Sequence, residues 1–186
     1  AVEKETGSIH KRVLESETNE RFDARKIFTV TIDPDDAKDF DDALSVEKIG
    51  ENKFRIGVHI ADVSHYVKPD SQLDIEAKKR GNSTYLVGTV IPMLPHPLSS
   101  GICSLVEGQD RLVKTAFLTF DKEKLIKTQF ENSVICSRKR LTYKQAITLL
   151  EKEDINAIRN IPAPAAHQTG HPGKDLGSLP DKEIHE

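Results

Sequence analysis

The chain has 186 residues, a formal net charge of -3 and 31% charged residues. That length holds one domain with a sizeable core, or a domain with tails. The slightly acidic total lacks the basic character usual in nucleic-acid binders, although the distribution of charge counts for more than its sum. No apolar run reaches the roughly 18 residues a membrane span needs, and no signal peptide opens the chain. Cys103 and Cys136 stand far apart without metal-binding spacing. The sequence therefore reads as a cytoplasmic protein with reduced thiols and no membrane contact. Its first residue is alanine rather than methionine, which reads as a fragment or a processed product.

Residues 1–25 are polar and without clear periodicity, and read as a linker or lead-in. From Lys26 the pattern changes: Phe28, Val30 and Ile32 alternate with Thr29, Thr31 and Asp33, the period of a half-buried strand, and Pro34 ends regular pairing. A second strand is expected over 42–49, a turn at Gly50-Glu51-Asn52, and a third strand over 54–63. Ser71, with Asp74 three residues on, starts a helix over 72–80 that Gly81 stops. Residues 85–91 read as a single strand ended by Pro92 and Pro95, and 96–110 as loop with a helical turn near Ile102. Two more strands, 111–120 and 125–136, are joined by a turn at Asp121-Lys122. Thr142 and Gln145 make a capping box before a helix whose apolar face is Ile147, Leu149 and Leu150. Beyond Asp154 the composition turns Pro/Ala/Gly/His-rich and cannot bury a core, so 155–186 reads as linker, insertion or mobile loop. His167 and His171 lie four apart there, without the further ligands a zinc site needs. The expected fold is α+β, mainly antiparallel sheet with a few helices: a lead-in over 1–25, a domain over 26–154 and a tail over 155–186.

The most informative stretch lies between the first two strands. Six of the ten residues from 33 to 42 are aspartates. Like charges a few ångströms apart repel by about 1 kcal/mol or more even when partly solvated, so a cation is expected to offset them. The plain alternative is a solvated acidic turn, because Asp is common in turns. A calcium loop of the EF-hand kind fails on spacing: counting from Asp33, the fifth position is Ala37, the sixth Lys38 and the twelfth Leu44. What remains is a spaced set, Asp33, Asp39, Asp41 and Asp42, pinned between two apolar strands. Hard oxygen ligands without His or Cys suit magnesium, manganese or calcium. Such carboxylates can hold one or two hydrated ions against a phosphate, as many nucleases do. Further along, His59, Asp62 and His65 either line a path beside the acidic loop or brace it from behind. Ser137-Arg-Lys-Arg140 is either a solvated strand end or a phosphate-steering cluster.

The run Thr31-Ile-Asp-Pro-Asp-Asp-Ala-Lys-Asp-Phe-Asp-Asp-Ala-Leu44, followed by Ile56-Gly-Val-His-Ile-Ala-Asp-Val-Ser-His-Tyr-Val67, resembles the catalytic RNB domain of the ribonuclease II/ribonuclease R family. Tyr85-Leu86, Val90-Ile-Pro-Met-Leu-Pro95, Cys103-Ser-Leu105, Asp110-Arg-Leu112 and Arg140-Leu-Thr-Tyr143 continue it in the family's order over residues 25–150, with details nearer to the bacterial ribonuclease R branch. The resemblance implies a magnesium-dependent (or manganese-dependent) hydrolytic 3′→5′ exoribonuclease acting on single-stranded RNA and releasing nucleoside 5′-monophosphates. It implies Asp33 and Asp42 as direct metal ligands and Asp39 and Asp41 as their partners, with Asp41 weighing most in the chemical step. Asp35 and Asp36 match no family ligand. It implies Tyr85 as the aromatic that stacks on nucleotides near the 3′ end. His59, Arg80 and Arg111 are further candidates for contact with RNA. A full RNB domain is expected to be about twice the matching stretch. Its second half should carry an arginine-rich catalytic segment and a second stacking aromatic, and OB-type domains should flank it. This sequence shows none of these, so the piece alone is expected to be poorly active. The rival reading is a catalytically silent RNA-binding fragment or degenerate homologue; the four intact aspartates favour the enzyme.

Overall fold

The computed structural model of the protein describes residues 1–87 and 89–152; the reading of 155–186, with His167 and His171, lies outside them. The elements in chain order are α1 (Val2–Ser8), β1 (Phe22–Asp23), β2 (Thr29–Asp33), β3 (Asp42–Gly50), β4 (Lys53–Ala61), α2 (Val63–Tyr66), α3 (Gln72–Arg80), β5 (Thr84–Leu86), β6 (Thr89–Ile91), β7 (Asp110–Asp121), β8 (Lys124–Cys136), β9 (Lys139–Thr142) and α4 (Tyr143–Lys152). Seven strands form one sheet in the order β1-β8-β7-β4-β3-β2-β9, and β5 and β6 pair on their own. Within the large sheet β1 runs parallel to β8 and β9 parallel to β2; the remaining pairs are antiparallel. The architecture is the α+β, mainly antiparallel sheet that the pattern implied.

Local chemistry explains most boundaries. Ser71 accepts the backbone N–H of Asp74 at 3.2 Å, and Gly81 closes α3 at φ 74°, where a side chain would be strained. At the start of α4 the capping box is complete. Gln145 N–H donates to Thr142 Oγ1 at 3.2 Å, and Thr142 N–H donates back to Gln145 Oε1 at 2.9 Å. Lys122 turns between β7 and β8 with φ 53°. The helical turn expected near Ile102 is a π-type turn over Leu98–Ile102.

Three expectations need correction. Residues 85–91 are not one strand: β5 and β6 form a hairpin with Tyr85 opposite Val90. Only two residues separate Leu86 from Thr89, the shortest connection an antiparallel pair commonly uses. The third strand ends at Ala61: the Asp62 N–H still donates to the Leu112 carbonyl at 2.9 Å while its side chain meets Arg21 at 2.7 Å, and the chain turns into α2 at Val63. Residues 1–25 hold α1 and a 3-10 turn over Glu15–Glu17, with Val2, Ile9 and Val13 packed against the core. Glu5 accepts the backbone N–H of Leu73 at 3.2 Å, and Glu17 meets His65 at 2.7 Å. Scattered apolar residues with long-range polar partners give such a segment no periodicity to read.

The core lies on one side of the sheet. Leu73 of α3, Leu98 and Ile102 of the π-type turn, Cys103 and Leu105 pack against Ala43, Ala61, Val113, Phe117 and Ile135 of the strands. The burial phase of the central strands is the reverse of what their apolar alternation suggests. Thr29, Thr31, Asp33, Ser45, Gly57, His59 and Ala61 face inward and are buried. Their apolar neighbours face the other way: Leu44 lies opposite Val58, Val46 opposite Ile56 and Ala116 opposite Phe130. That second face is largely open, with Phe130 80% exposed.

Candidate active site

The acidic loop is the connection between β2 and β3. Asp33 is the last residue of β2 and Asp42 the first of β3, two strands held antiparallel by Thr29↔Ser45 and Val30↔Leu44. A turn opens the loop, with Ala37 N–H on the Pro34 carbonyl at 3.2 Å. Phe40 anchors its far end. The residue is buried, its N–H donates to Ser104 Oγ at 3.0 Å, and its carbonyl accepts from Leu105 N–H at 2.8 Å. Asp39 and Asp41, the neighbours of that plug, are thereby held at the surface, and the Asp41 carbonyl is fixed by Ala61 N–H of β4 at 2.9 Å.

The four carboxylates form one electrostatic unit. Asp33 is only 8% exposed and its Oδ2 has no hydrogen-bond partner. Burial, with the like charges of Asp42 and Asp41 adding and the Thr31 hydroxyl and Arg140 guanidinium opposing, pushes its carboxyl up to about 6. Asp41 is also held above its ordinary value, by desolvation within the surrounding protein and by Asp39 and Asp42. The Tyr85 hydroxyl stands 3.5 Å from Asp39 Oδ2, the outer limit of hydrogen bonding, and that carboxylate is the main reason the phenol is pushed up. Among the described residues no three carboxylate, imidazole or thiol groups converge closely enough to enclose a metal ion unaided. A closed cage is not what magnesium requires: it is held through one or two carboxylates, keeps several waters, and takes the rest of its shell from substrate phosphate. A buried carboxylate oxygen without a partner, with the Asp42 and Asp41 charges near enough to act on it, fits such an ion.

The other candidate residues divide sharply. Tyr85 is 67% exposed on the β5–β6 hairpin, beside Asp39 and free to stack. Arg80, also exposed, donates to Glu76 at 2.9 Å and to the Pro92 carbonyl at 2.9 Å, so it braces the base of that hairpin. His59 is not on any surface. It is 0% exposed, hydrogen-bonded through Nε2 to Ser45 Oγ and through Nδ1 to Thr115 Oγ1, both at 2.9 Å. Burial holds its imidazole down at about 4, hence neutral. Arg111 is likewise buried, and spends its guanidinium on the carbonyls of Ser104, Asp110 and Gly101 and on Gln109 Oε1. The chain's own groups occupy both side chains, and neither stands on the surface; of the two readings of the histidine, bracing fits its hydrogen bonds. The residues missed as parts of the site are Phe40, Ser104 and Arg140. Phe40 stands inside the motif and was legible as its lone aromatic, but the other two arrive from distant positions.

The RNB domain family matches residues 21–169, and the chain belongs to that family. The curated relatives it matches include bacterial ribonuclease R proteins. That of Thermotoga maritima is 51% identical over 149 residues, covering 80% of this chain and 21% of the relative. That of Chlamydia trachomatis is 44% identical over 159 residues, covering 85% and 23%. Among solved structures, Mycoplasma genitalium RNase R in complex with double-stranded RNA superposes with a TM-score of 0.75 at 35% identity, over 82% of this chain and 27% of that one. The chain thus spans about a fifth of the length of the curated relatives it matches.

Proposed function

We propose that this chain carries the metal-binding carboxylates of a magnesium-dependent, hydrolytic 3′→5′ exoribonuclease acting on single-stranded RNA. The observation that carries the reading is the buried, unpartnered Asp33 Oδ2 at the head of a loop that also presents Asp39, Asp41 and Asp42. Asp33 and Asp42, at the facing ends of two paired strands, would hold the ion, and Asp39 and Asp41 would complete its shell, directly or through water. A divalent ion bound there supplies an activated water and offsets charge on the attacked phosphoryl group. Tyr85, on the rim next to Asp39, offers a flat face to a terminal base whatever its identity, which sets the scissile phosphate beside the carboxylates. Release of nucleoside 5′-monophosphates follows if water adds to the phosphorus and the P–O3′ bond to the penultimate nucleotide breaks, leaving that nucleotide with a 3′-hydroxyl and the phosphate on the 5′ carbon of the released one.

The open apolar face of the sheet supports a second part of the proposal: the rest of the catalytic domain packs on it. Leu44, Val46 and Ile60, each more than 40% exposed, sit on the same face as Phe130, and a face of this size is costly to leave in water. The arginine-rich segment, the second stacking aromatic and the flanking OB-type domains would belong to that larger protein, and the isolated chain would turn over RNA poorly. The unpaired thiols of Cys103 and Cys136 suit a reducing cytoplasm.

The test is Asp41→Asn in the full-length protein, with a single-stranded oligoribonucleotide and magnesium. Shortening from the 3′ end is expected to slow by on the order of 10²–10³-fold, while RNA affinity changes little. A variant that degrades RNA at the wild-type rate would remove Asp41 from the chemistry. A wild-type protein that binds RNA without shortening it would instead support the silent RNA-binding reading.

A further inference from the structure

Arg140, from outside the acidic loop, touches the loop near both of its ends. Strand β9 lies parallel to β2, with Arg140 opposite Thr31 and Thr142 opposite Asp33. Paired residues share a face of the sheet, so Arg140 lies on the same face as Asp33, one alternate position back along the strand. From there its Nη2 donates to the carbonyls of Pro34 at 3.0 Å and Asp35 at 3.1 Å. Its guanidinium carbon lies 4.7 Å from the centre of the Phe40 ring, a cation–π contact. The strand that carries it is fixed in turn, because the Arg140 N–H donates to the Glu107 carboxylate at 3.0 Å.

The consequence concerns spacing. Pro34 follows Asp33, and Phe40 stands between Asp39 and Asp41. One rigid planar group that holds residues 34, 35 and 40 therefore fixes the separation between the buried carboxylate at one end of the loop and the surface pair at the other. We propose that Arg140 is a positioning residue for the divalent-ion site, holding the acidic loop in the shape that lets its carboxylates share an ion. The inference rests on the metal reading above.

A merely electrostatic role makes the opposite prediction. A cation beside carboxylates repels an incoming metal ion, so removing it would tighten metal binding. A positioning role requires the planar fork and ring contact that only arginine supplies. Lysine keeps the charge but offers a single ammonium point and no plane to lay on Phe40.

The test uses the full 186-residue chain with Arg140→Lys and Arg140→Met. Mn²⁺ alone is the probe, titrated by calorimetry, and amide hydrogen exchange is followed without metal. The expected result is weaker Mn²⁺ binding in both variants, by about tenfold or more. Exchange should quicken at Ala37 and Phe40, while the amides of β7 and β8 keep wild-type protection and so report an intact sheet. Unchanged or tighter Mn²⁺ binding in Arg140→Met, or wild-type affinity in Arg140→Lys, would overturn the proposal. If the wild-type chain itself binds no Mn²⁺, the metal reading fails. Exchange then decides the rest: faster exchange at Ala37 and Phe40 supports Arg140 as the holder of the loop, and unchanged exchange removes that role as well.

Discussion

Replacing Arg21 by methionine is expected to destabilise the chain by about 3 kcal/mol or more, because it strands a buried carboxylate. Asp62 is only 3% exposed, and Arg21 Nη2 meets its Oδ2 at 2.7 Å from a side chain that is itself 10% exposed. Burial alone would raise the Asp62 carboxyl. The Ser64 hydroxyl, the Arg21 guanidinium and Lys114 outweigh it and hold the group below its ordinary value. Methionine preserves most of the packing and removes the charge. Urea denaturation at neutral pH should show the loss, and adding Asp62→Asn should restore part of it, since the double variant no longer buries an unpaired anion. The sign with pH follows from the direction of the shift. A carboxylate whose folded value is depressed contributes its stability above the unfolded value near 3.9 and loses it as pH falls through the folded value. The gap between wild type and Arg21→Met should therefore persist down to about pH 4–5 and close below that. A gap under about 0.5 kcal/mol at neutral pH would show that Lys114 and Ser64 suffice. The pair also matters to the site: Ala61, next to Asp62, donates its N–H to the Asp41 carbonyl, so the lead-in segment that supplies Arg21 is tied to the frame of the acidic loop.

Gly57→Ala should cost about 3 kcal/mol, combining overpacking with the loss of a buried hydrogen bond. A polar chain crosses three adjacent strands on the inner face of the sheet, from Ser45 of β3 through His59 of β4 to Thr115 of β7. It passes directly over the Cα of Gly57. A Cβ there would collide with Ser45 Oγ and would lie 2.7 Å from His59 Nε2 and 2.9 Å from its Cε1, distances real Cβ atoms do not adopt. These atoms belong to buried, hydrogen-bonded side chains, so moving either aside leaves a polar group unsatisfied. In calorimetry the variant should melt roughly 6–12 °C below wild type, at about 2–4 °C per kcal/mol for a chain of this size. A shift within about 2 °C would mean the strands part easily and the Ser45–His59–Thr115 chain contributes little.

Local signals were legible in proportion to how local their cause is. Ser71 and Gly81 bound α3, and Thr142 with Gln145 caps α4, because these contacts span a few residues and leave a fixed pattern. Strand alternation was equally plain at Thr29–Asp33, yet which face is the core was not. The threonines and Asp33 are buried while Val30 and Ile32 are less so, and that choice depends on what the opposite face meets. The acidic loop and Tyr85 were visible as a motif and as a resemblance. Arg140 lay beyond reach for a different reason: its contacts with Pro34 and Asp35 cross separations of 106 and 105 residues and exist only because β9 pairs with β2. For His59 and Arg111, motif position and residue type point to RNA contact, and neither reveals that a polar side chain is already engaged by its own fold.

The central claim is that the carboxylates at 33, 39, 41 and 42 share a divalent ion, and the most direct measurement is paramagnetic broadening of the amide spectrum of the 186-residue chain by Mn²⁺. Substoichiometric Mn²⁺ should erase the signals of Asp33, of residues 35–42, of Tyr85 and of the N-terminal end of β3 first, excess Mg²⁺ should restore them, and the far ends of β7 and β8 should stay sharp throughout. Broadening spread evenly over the exposed acidic residues, or none at the loop, would contradict the account.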